Sequence, residues 1–141
     1  MSLFKVMDIA GTALSAQSLR LNVTASNMAN ADSVSSSVNA TYRARHPVFA
    51  TMIDEMALSF EGETVGMGVE VKGVLESQAP LRSQYRPEHP LADANGYIHL
   101  SNVNMIEEMA NMISASRSYQ TSVEVANASK QMMLRTLSLG S

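Results

Sequence analysis

The sequence predicts an α+β fold in which long helices at the N- and C-terminal ends pair as a coiled coil and a small antiparallel β domain lies between them. Three observations carry this. Both ends hold apolar residues at heptad spacing, the stretch between them switches to a period of two, and 141 residues suffice for one small domain with extended arms. The expected divisions are an N-terminal helix over 1–31, a loop over 32–45, a β-rich outer domain over 46–101 and a C-terminal helix over 102–141.

At the N-terminal end, Leu3, Ala10, Gln17 and Thr24 form one heptad row and Met7, Leu14, Leu21 and Met28 another. This partial apolar stripe predicts a helix from Leu3 to Ala29. At ~1.5 Å per residue it is about 40 Å long, and its internal breaker, Gly11, costs about 1 kcal/mol. Residues 32–39 have no stripe and are rich in Ser and Asn, whose side chains compete for backbone hydrogen bonds, so they read as a mobile loop. Ser33, Ser35, Ser36 and Ser37 have linker composition, and no chemistry is attached to them.

In the middle, Val65, Met67, Val69 and Val71 alternate with Gly66, Gly68, Glu70 and Lys72, which predicts a strand with one apolar face. Gly73 then permits a bulge or bend. Turn chemistry fills the stretch from Ala79-Pro80 to Pro90, and Asn95-Gly96 forms a tight-turn pair ahead of a strand at Tyr97-Ile98-His99-Leu100. Residues 46–100 hold eight acids and three bases, so their net charge is 3 − 8 = −5, and a chain total of −3 leaves +2 for the ends.

The C-terminal helix is predicted over 103–137, with rows Met105, Met112, Tyr119, Ala126, Met133 and Met109, Ser116, Val123, Lys130, Leu137, flanked at the start by Ile106 and Ile113. Asn102 or Asn104 is its N-cap, Glu107 and Glu108 sit in its first turn, and Lys130 and Arg135 lie near its end, where cations suit the dipole. The sequence leaves open whether the helices pair antiparallel or parallel. Their outer faces are poor in charge. Between Lys5 and Asp32 the first helix carries Asp8 and Arg20, and between Met109 and Leu134 the second carries Arg117, Glu124 and Lys130. Ser and Ala supply 36 residues and Met eleven, so either other chains cover these small-residue faces or the surface is simply rich in Ala and Ser. The methionines suit an ordinary core and equally an interface that accepts slightly different neighbours.

Several classes of function are disfavoured. A net charge of −3 without basic blocks speaks against nucleic-acid binding. Absent cysteine removes disulfides, thiolate metal sites and thiol nucleophiles. Apolar runs fall far short of the ~20 residues that cross a bilayer, so no membrane insertion is expected, and no cleavable leader pattern is seen. His46, His89 and His99 lie far apart and share no helix face with a carboxylate, so no metal site is expected. Gly66-Met67-Gly68 is explained as strand and Asp54-Glu55 as a solvated face, so neither a cofactor nor a catalytic residue is assigned and the chain reads as no enzyme.

The run from Asp8 to Gln17 (DIAGTALSAQ), followed by Leu21-Asn22-Val23 and the run from Ala25 to Ala31 (ASNMANA), closely resembles the N-terminal motif of bacterial flagellar rod and hook axial proteins. Agreement continues at Tyr42-Arg43-Ala44, at Glu76-Ser77-Gln78-Ala79-Pro80 with Asn95-Gly96-Tyr97, and from Ser114 to Gln120 leading to Met132-Met133-Leu134. The short middle and Pro90-Leu91-Ala92-Asp93-Ala94 are similar to a proximal rod member of that family. One departure is Ser33 to Thr41, where the family commonly has Pro and Gly.

The resemblance implies a non-enzymatic subunit, exported through the flagellar type III apparatus without signal cleavage, that polymerises through its terminal helices into the torque-bearing shaft crossing the periplasm. Its implied partners are other proximal and distal rod proteins, the adaptor joining rod to export gate, and copies of itself. The residues expected to carry assembly are Leu3, Met7, Leu14, Leu21, Asn27, Met28 and Asn30 at one end and Met105, Ile106, Met109, Met112, Ile113, Tyr119, Val123, Met133 and Leu137 at the other. The competing reading is a non-polymerising adaptor or export-chaperone-like helical module, which would form a closed small complex instead of a polymer.

Overall fold

The computed structural model describes residues 3–53 and 66–139. Its elements run α1 (Leu3–Ala29), β1 (Val34–Ser35), β2 (Arg45–Ile53), β3 (Gly66–Glu76), β4 (Arg82–Tyr85), β5 (Tyr97–Leu100) and α2 (Met105–Leu139). This is the α+β arrangement the sequence predicts. Val65 and the pair Asp54-Glu55 lie outside the described residues.

Compactness divides the chain into two units, one drawn from Met1–Leu19, Val48–Gly73 and Ser114–Ser141, the other from Arg20–Pro47 and Val74–Ile113. In the second unit, β1, β5 and β4 form an antiparallel sheet in that order, with Val34 opposite Leu100, Ser83 opposite His99 and Tyr85 opposite Tyr97. The segment read as a mobile loop therefore contributes a strand. It continues into a hydrogen-bonded turn, in which the Ala40 amide and the buried Thr41 hydroxyl both donate to the Ser37 carbonyl. The physical reason is that β5 would otherwise expose one edge, and the amide and carbonyl groups of residues 34–35 satisfy it. β2 and β3 form a separate two-stranded sheet, where Pro47, lacking an N–H, is tolerated on an edge.

Asn27 is fully buried and joins α1 to the start of β2. Its Oδ1 accepts from the Arg45 amide and the Tyr42 hydroxyl, both at 2.9 Å, and its Nδ2 donates to the Arg45 carbonyl at 2.8 Å. Asn102 makes a similar tie, accepting from the Ala44 amide at 2.8 Å and donating to the Ala79 carbonyl at 3.0 Å. Between them sits a small core of Ala31, Ala44 and Val103 with Tyr42 packed against it. Arg82 adds hydrogen bonds to the carbonyls of Ser101 and Ala31.

In the first unit, α1 meets β3 at close range. The Thr12 hydroxyl donates to the Ile9 carbonyl at 2.8 Å and accepts from the Val69 amide at 3.2 Å. A Cβ on Gly68 would lie 2.5 Å from the Thr12 hydroxyl oxygen, so this approach requires glycine. Met67 and Val71 remain over a third exposed, so the apolar face of β3 is only partly covered.

Asparagine side chains bond the end of α1 and the start of α2. Asn30 closes α1, its side-chain amide donating to the Ser26 carbonyl at 2.8 Å. Asn104, rather than Asn102, caps α2, accepting from the Ile106 amide at 3.1 Å. The helix runs to Leu139, so its last turn holds neither Lys130 nor Arg135. Direction, which the sequence left open, is antiparallel. Arg20 donates to Asn111, while Val6, Ile9 and Ala13 share a groove with Thr121, Ser122 and Val125, so advancing along one helix retreats along the other.

The tight turn ahead of β5 falls where the sequence predicts it, at Asn95-Gly96. Asn95 does not adopt positive φ, and the turn is Asp93-Ala94-Asn95-Gly96, closed by the Gly96 amide on the Asp93 carbonyl at 3.0 Å. Asp93 Oδ1 accepts from the Tyr97 and Asn95 amides, both at 2.8 Å, and so organises the turn from its first position. The Tyr97 amide chiefly holds the Asp93 carboxyl below the usual aspartate range, with Asn95, His99 and Gly96 adding to it and desolvation opposing it. Since the folded carboxyl is the stronger acid, its stabilisation is complete above the unfolded value near 4 and disappears as pH falls through the folded one. Acid titration of sheet stability by amide exchange should show this loss, and Asp93→Asn should remove that step. Gly96 has φ +80°, and a Cβ there would lie 2.8 Å from the Tyr85 ring. Gly96→Val should therefore cost about 1–3 kcal/mol in thermal or denaturant unfolding, and unchanged stability would disprove the requirement.

Candidate assembly surface

The buried side of α2 is made of small and polar residues. Glu108, Ala115 and Ser129 are buried and Met112, Ser122 and Ala126 half-buried, placing the interior row at 108, 115, 122 and 129 beside 112, 119, 126 and 133. The second predicted row, from Met109 to Leu137, is displaced by one position. On α1 the buried side includes Ala10, Thr24 and Asn27, so the row alongside Ala10 and Thr24 runs through 13, 20 and 27 instead of 14, 21 and 28. Small side chains explain both shifts. They let two helices approach closely, and the larger apolar residues of the neighbouring row turn to the flank or outward.

The outward residues fall in three places. Ile106, Met109 and Ile113 lie at i, i+3 and i+7 and form one exposed face in the first turns of α2, with Ile106 78% exposed. Beyond them the face becomes polar at Arg117, Gln120 and Glu124. Phe4 and Met7 are exposed near the start of α1, and Met132, Leu134 and Leu137 near the end of α2, Leu137 at 72%.

Of the residues the sequence nominated for assembly, Met7, Met105, Ile106, Met109, Ile113, Tyr119 and Leu137 are exposed. Leu3, Leu14, Leu21, Met28, Asn30, Met112, Val123 and Met133 are half-buried. Asn27 has no exposed surface and spends its amide within the chain, so in this conformation it supports the surface from inside. Phe4, Met132 and Leu134 are exposed as well and lie outside the heptad rows. Only their apolar character near helix ends could have signalled them.

Alongside the exposed residues, the first unit has an apolar groove of about 280 Å³, floored by Ala10 and Ala13 and walled by Val6, Ile9 and Val125. Polar constellations are few among the described residues. His99 Nδ1 lies 3.2 Å from the Ser83 hydroxyl across the strand pair, and its Nε2 lies 3.7 Å from Asp93. This links β4, β5 and the preceding turn, consistent with His99 as a strand residue beside a turn.

Two family models match the chain, "Flagella basal body rod protein" over residues 7–35 and "Flagellar basal body rod FlgEFG protein C-terminal" over residues 94–139. They cover most of α1 and all of α2, and place the chain among the axial proteins of the flagellar rod. Over 140 residues and 99% of both chains, it is 53% identical to the flagellar basal-body rod protein FlgC of Salmonella typhimurium and 52% identical to that of Escherichia coli O6:H1. FlgC of Buchnera aphidicola subsp. Schizaphis graminum is 41% identical over the same share. The chain belongs to the FlgC family of flagellar basal-body rod proteins and is a structural subunit of the rod.

The two sides of α2 should respond differently to substitution. Ala115, with no exposed surface, should tolerate no larger side chain, and Ala115→Leu should cost about 1–3 kcal/mol in denaturant unfolding of the isolated chain. Ile113→Ser, on the exposed side, should change the same measurement by no more than about 0.5 kcal/mol.

Proposed function

We propose that the chain polymerises through the apolar residues exposed on its terminal helices, joining copies of itself, the other proximal and distal rod proteins and the adaptor between rod and export gate. The assembly is part of the shaft that carries motor torque across the periplasm, and the subunit reaches it through the flagellar type III apparatus. Its contribution is stiffness, with no catalysed reaction and no cofactor.

The observation carrying this reading is the face formed by Ile106, Met109 and Ile113, flanked by Met105, which the chain itself leaves uncovered while its interior row holds Glu108, Ala115, Ser122 and Ser129. Burying a large apolar side chain contributes about 1.5–3 kcal/mol, and repetition around a polymer multiplies the effect. Small residues along the outer side of α1, such as Ser15, Ser18 and Asn22, leave room for such a face to approach closely.

Ile113→Glu tests the proposal. The position is exposed in the isolated chain, so its unfolding stability should change by no more than about 0.5 kcal/mol, whereas an unpaired carboxylate buried in an assembly costs several kcal/mol per subunit. The expected strain secretes the variant but lacks complete rods by electron microscopy and does not swim. Full-length rods and normal swimming would refute this face as part of the assembly surface.

A further inference from the structure

Asn95-Gly96 is the one Asn-Gly pair in the chain. Asparagine directly before glycine is prone to a spontaneous intramolecular reaction in water, because glycine has no Cβ to hinder its amide nitrogen from reaching the neighbouring side chain. The Gly96 nitrogen, giving its proton to solvent base, would attack Cγ of Asn95. A C–N bond forms, the bond from Cγ to the side-chain nitrogen breaks, and ammonia leaves a five-membered succinimide. Water then opens the ring. Cleavage at Cγ yields aspartate, and cleavage at the backbone carbonyl yields isoaspartate, whose main chain is one carbon longer. The Asn95 carboxamide lies at the surface, where water and base reach it.

The turn opposes the first step. Neither Ala94 nor Asn95 has positive φ, and the Gly96 amide donates to the Asp93 carbonyl at 3.0 Å, which together define a type I turn with Asn95 as its third residue. That residue has ψ of about 0°, whereas ring closure needs the Gly96 nitrogen eclipsed with Cβ, a rotation of about 120° around the Cα–C bond. Such a rotation breaks the bond to Asp93. It is resisted on the other side as well, since the Gly96 carbonyl accepts from the Arg86 amide at 2.9 Å, and the Tyr85 ring and Pro87 leave no room beside the glycine. Asp93 Oδ1 holds the same turn through the amides of Asn95 and Tyr97, both at 2.8 Å. We infer that Asn95 is a deamidation site that the folded turn holds shut, so that conversion is confined to chains in which the Asp93–Gly96 turn is open.

The reactive pair and its protection have one origin. Gly96 sits at φ +80°, which requires glycine, so the pair comes with the turn, and the same turn withholds the attacking nitrogen. The two products differ in consequence. Aspartate adds one negative charge, taking the chain from −3 to −4 (−3 − 1 = −4), and keeps the length of the main chain. Isoaspartate inserts a carbon between the Asp93 carbonyl and the Gly96 amide, so the bonds that close the turn and start β5 lose their register.

The test holds the full-length chain in mildly alkaline buffer, with and without denaturing urea, and follows aspartate and isoaspartate at position 95 by peptide mass spectrometry and isoaspartyl methylation. Conversion in the folded chain should be at least about tenfold slower, the weight of one hydrogen bond. The slowdown should match the protection of the Gly96 amide in hydrogen exchange, because one opening releases both. Asp93→Ala, which removes the two bonds to Oδ1, should raise the rate in native buffer towards the urea rate. Equal rates with and without urea would overturn the closed turn, and no conversion in urea would overturn the site. A slowdown unmatched by Gly96 protection, or an unchanged rate in Asp93→Ala, would overturn the turn as its cause.

Discussion

The pairing of α1 and α2 through small side chains is the constraint on which the rest of the structure depends. Ala10, Ala115 and Ser129 are almost devoid of exposed surface, and positions of that size let two backbones lie near each other with little side-chain entropy to lose. The consequence for the neighbouring positions is geometric. On a helix, the residue after an interior one is turned by about 100°, so once Glu108 faces inward, Met109 must face out. An interior of small and polar residues and an exterior of large apolar ones are thus one feature seen from two sides. It makes the isolated fold modest in apolar burial and leaves its large side chains available to neighbours, as suits a subunit of the flagellar rod.

With so little apolar interior, polar groups fix the chain path. Asn27 satisfies both backbone groups of Arg45 from α1, and Asn102 reaches the Ala44 amide and the Ala79 carbonyl. These bonds are directional, so they define where β2 leaves α1 and where residues 77–79 pass in a way that apolar packing alone would not. Within the paired helices the polar side chains have a comparable role. Arg20 bonds Asn111, and Gln17 carries a buried carbonyl oxygen with no partner among the described residues, a cost of about 1–3 kcal/mol in the lone chain. Polar groups at interior heptad positions sacrifice stability and specify register.

Much of this was legible from residue pattern. Leu3–Ala29 stood out because its interior positions recur at heptad spacing and its breaker, Gly11, is isolated; Tyr97–Leu100 stood out because turn residues precede it. Orientation was not legible, since apolar stripes carry no direction, and it became visible through Arg20 and Asn111, residues 91 apart in sequence. The same holds for β1, whose two residues acquire meaning only from β5 lying opposite. The candidate surface was half legible. Apolar residues at helical spacing mark Ile106, Met109 and Ile113 as a face to be buried, and the same spacing puts Met109 in a row expected to face α1. Hydrophobicity cannot say which of two adjacent rows a helix buries against itself and which against others. Side-chain size could have, because the row of Ala115, Ser122 and Ser129 permits the closer approach.

This distribution also bears on what a rod subunit stands to gain from its neighbours. A chain whose large apolar residues were already buried would gain little on assembly, and one whose helices could not pair alone would present no defined surface to its neighbours. Here the polar ties at Asn27 and Asn102 and the small-residue pairing are made within the subunit, while Ile106, Met109 and Ile113 stay exposed. The helices of 27 and 35 residues have backbone hydrogen bonds that run along their axes, while the turn organised by Asp93 and the sheet beside it are tied by side-chain and cross-strand bonds. The interior row thus sets how the helices pair, and the adjacent row keeps its large apolar side chains at the surface.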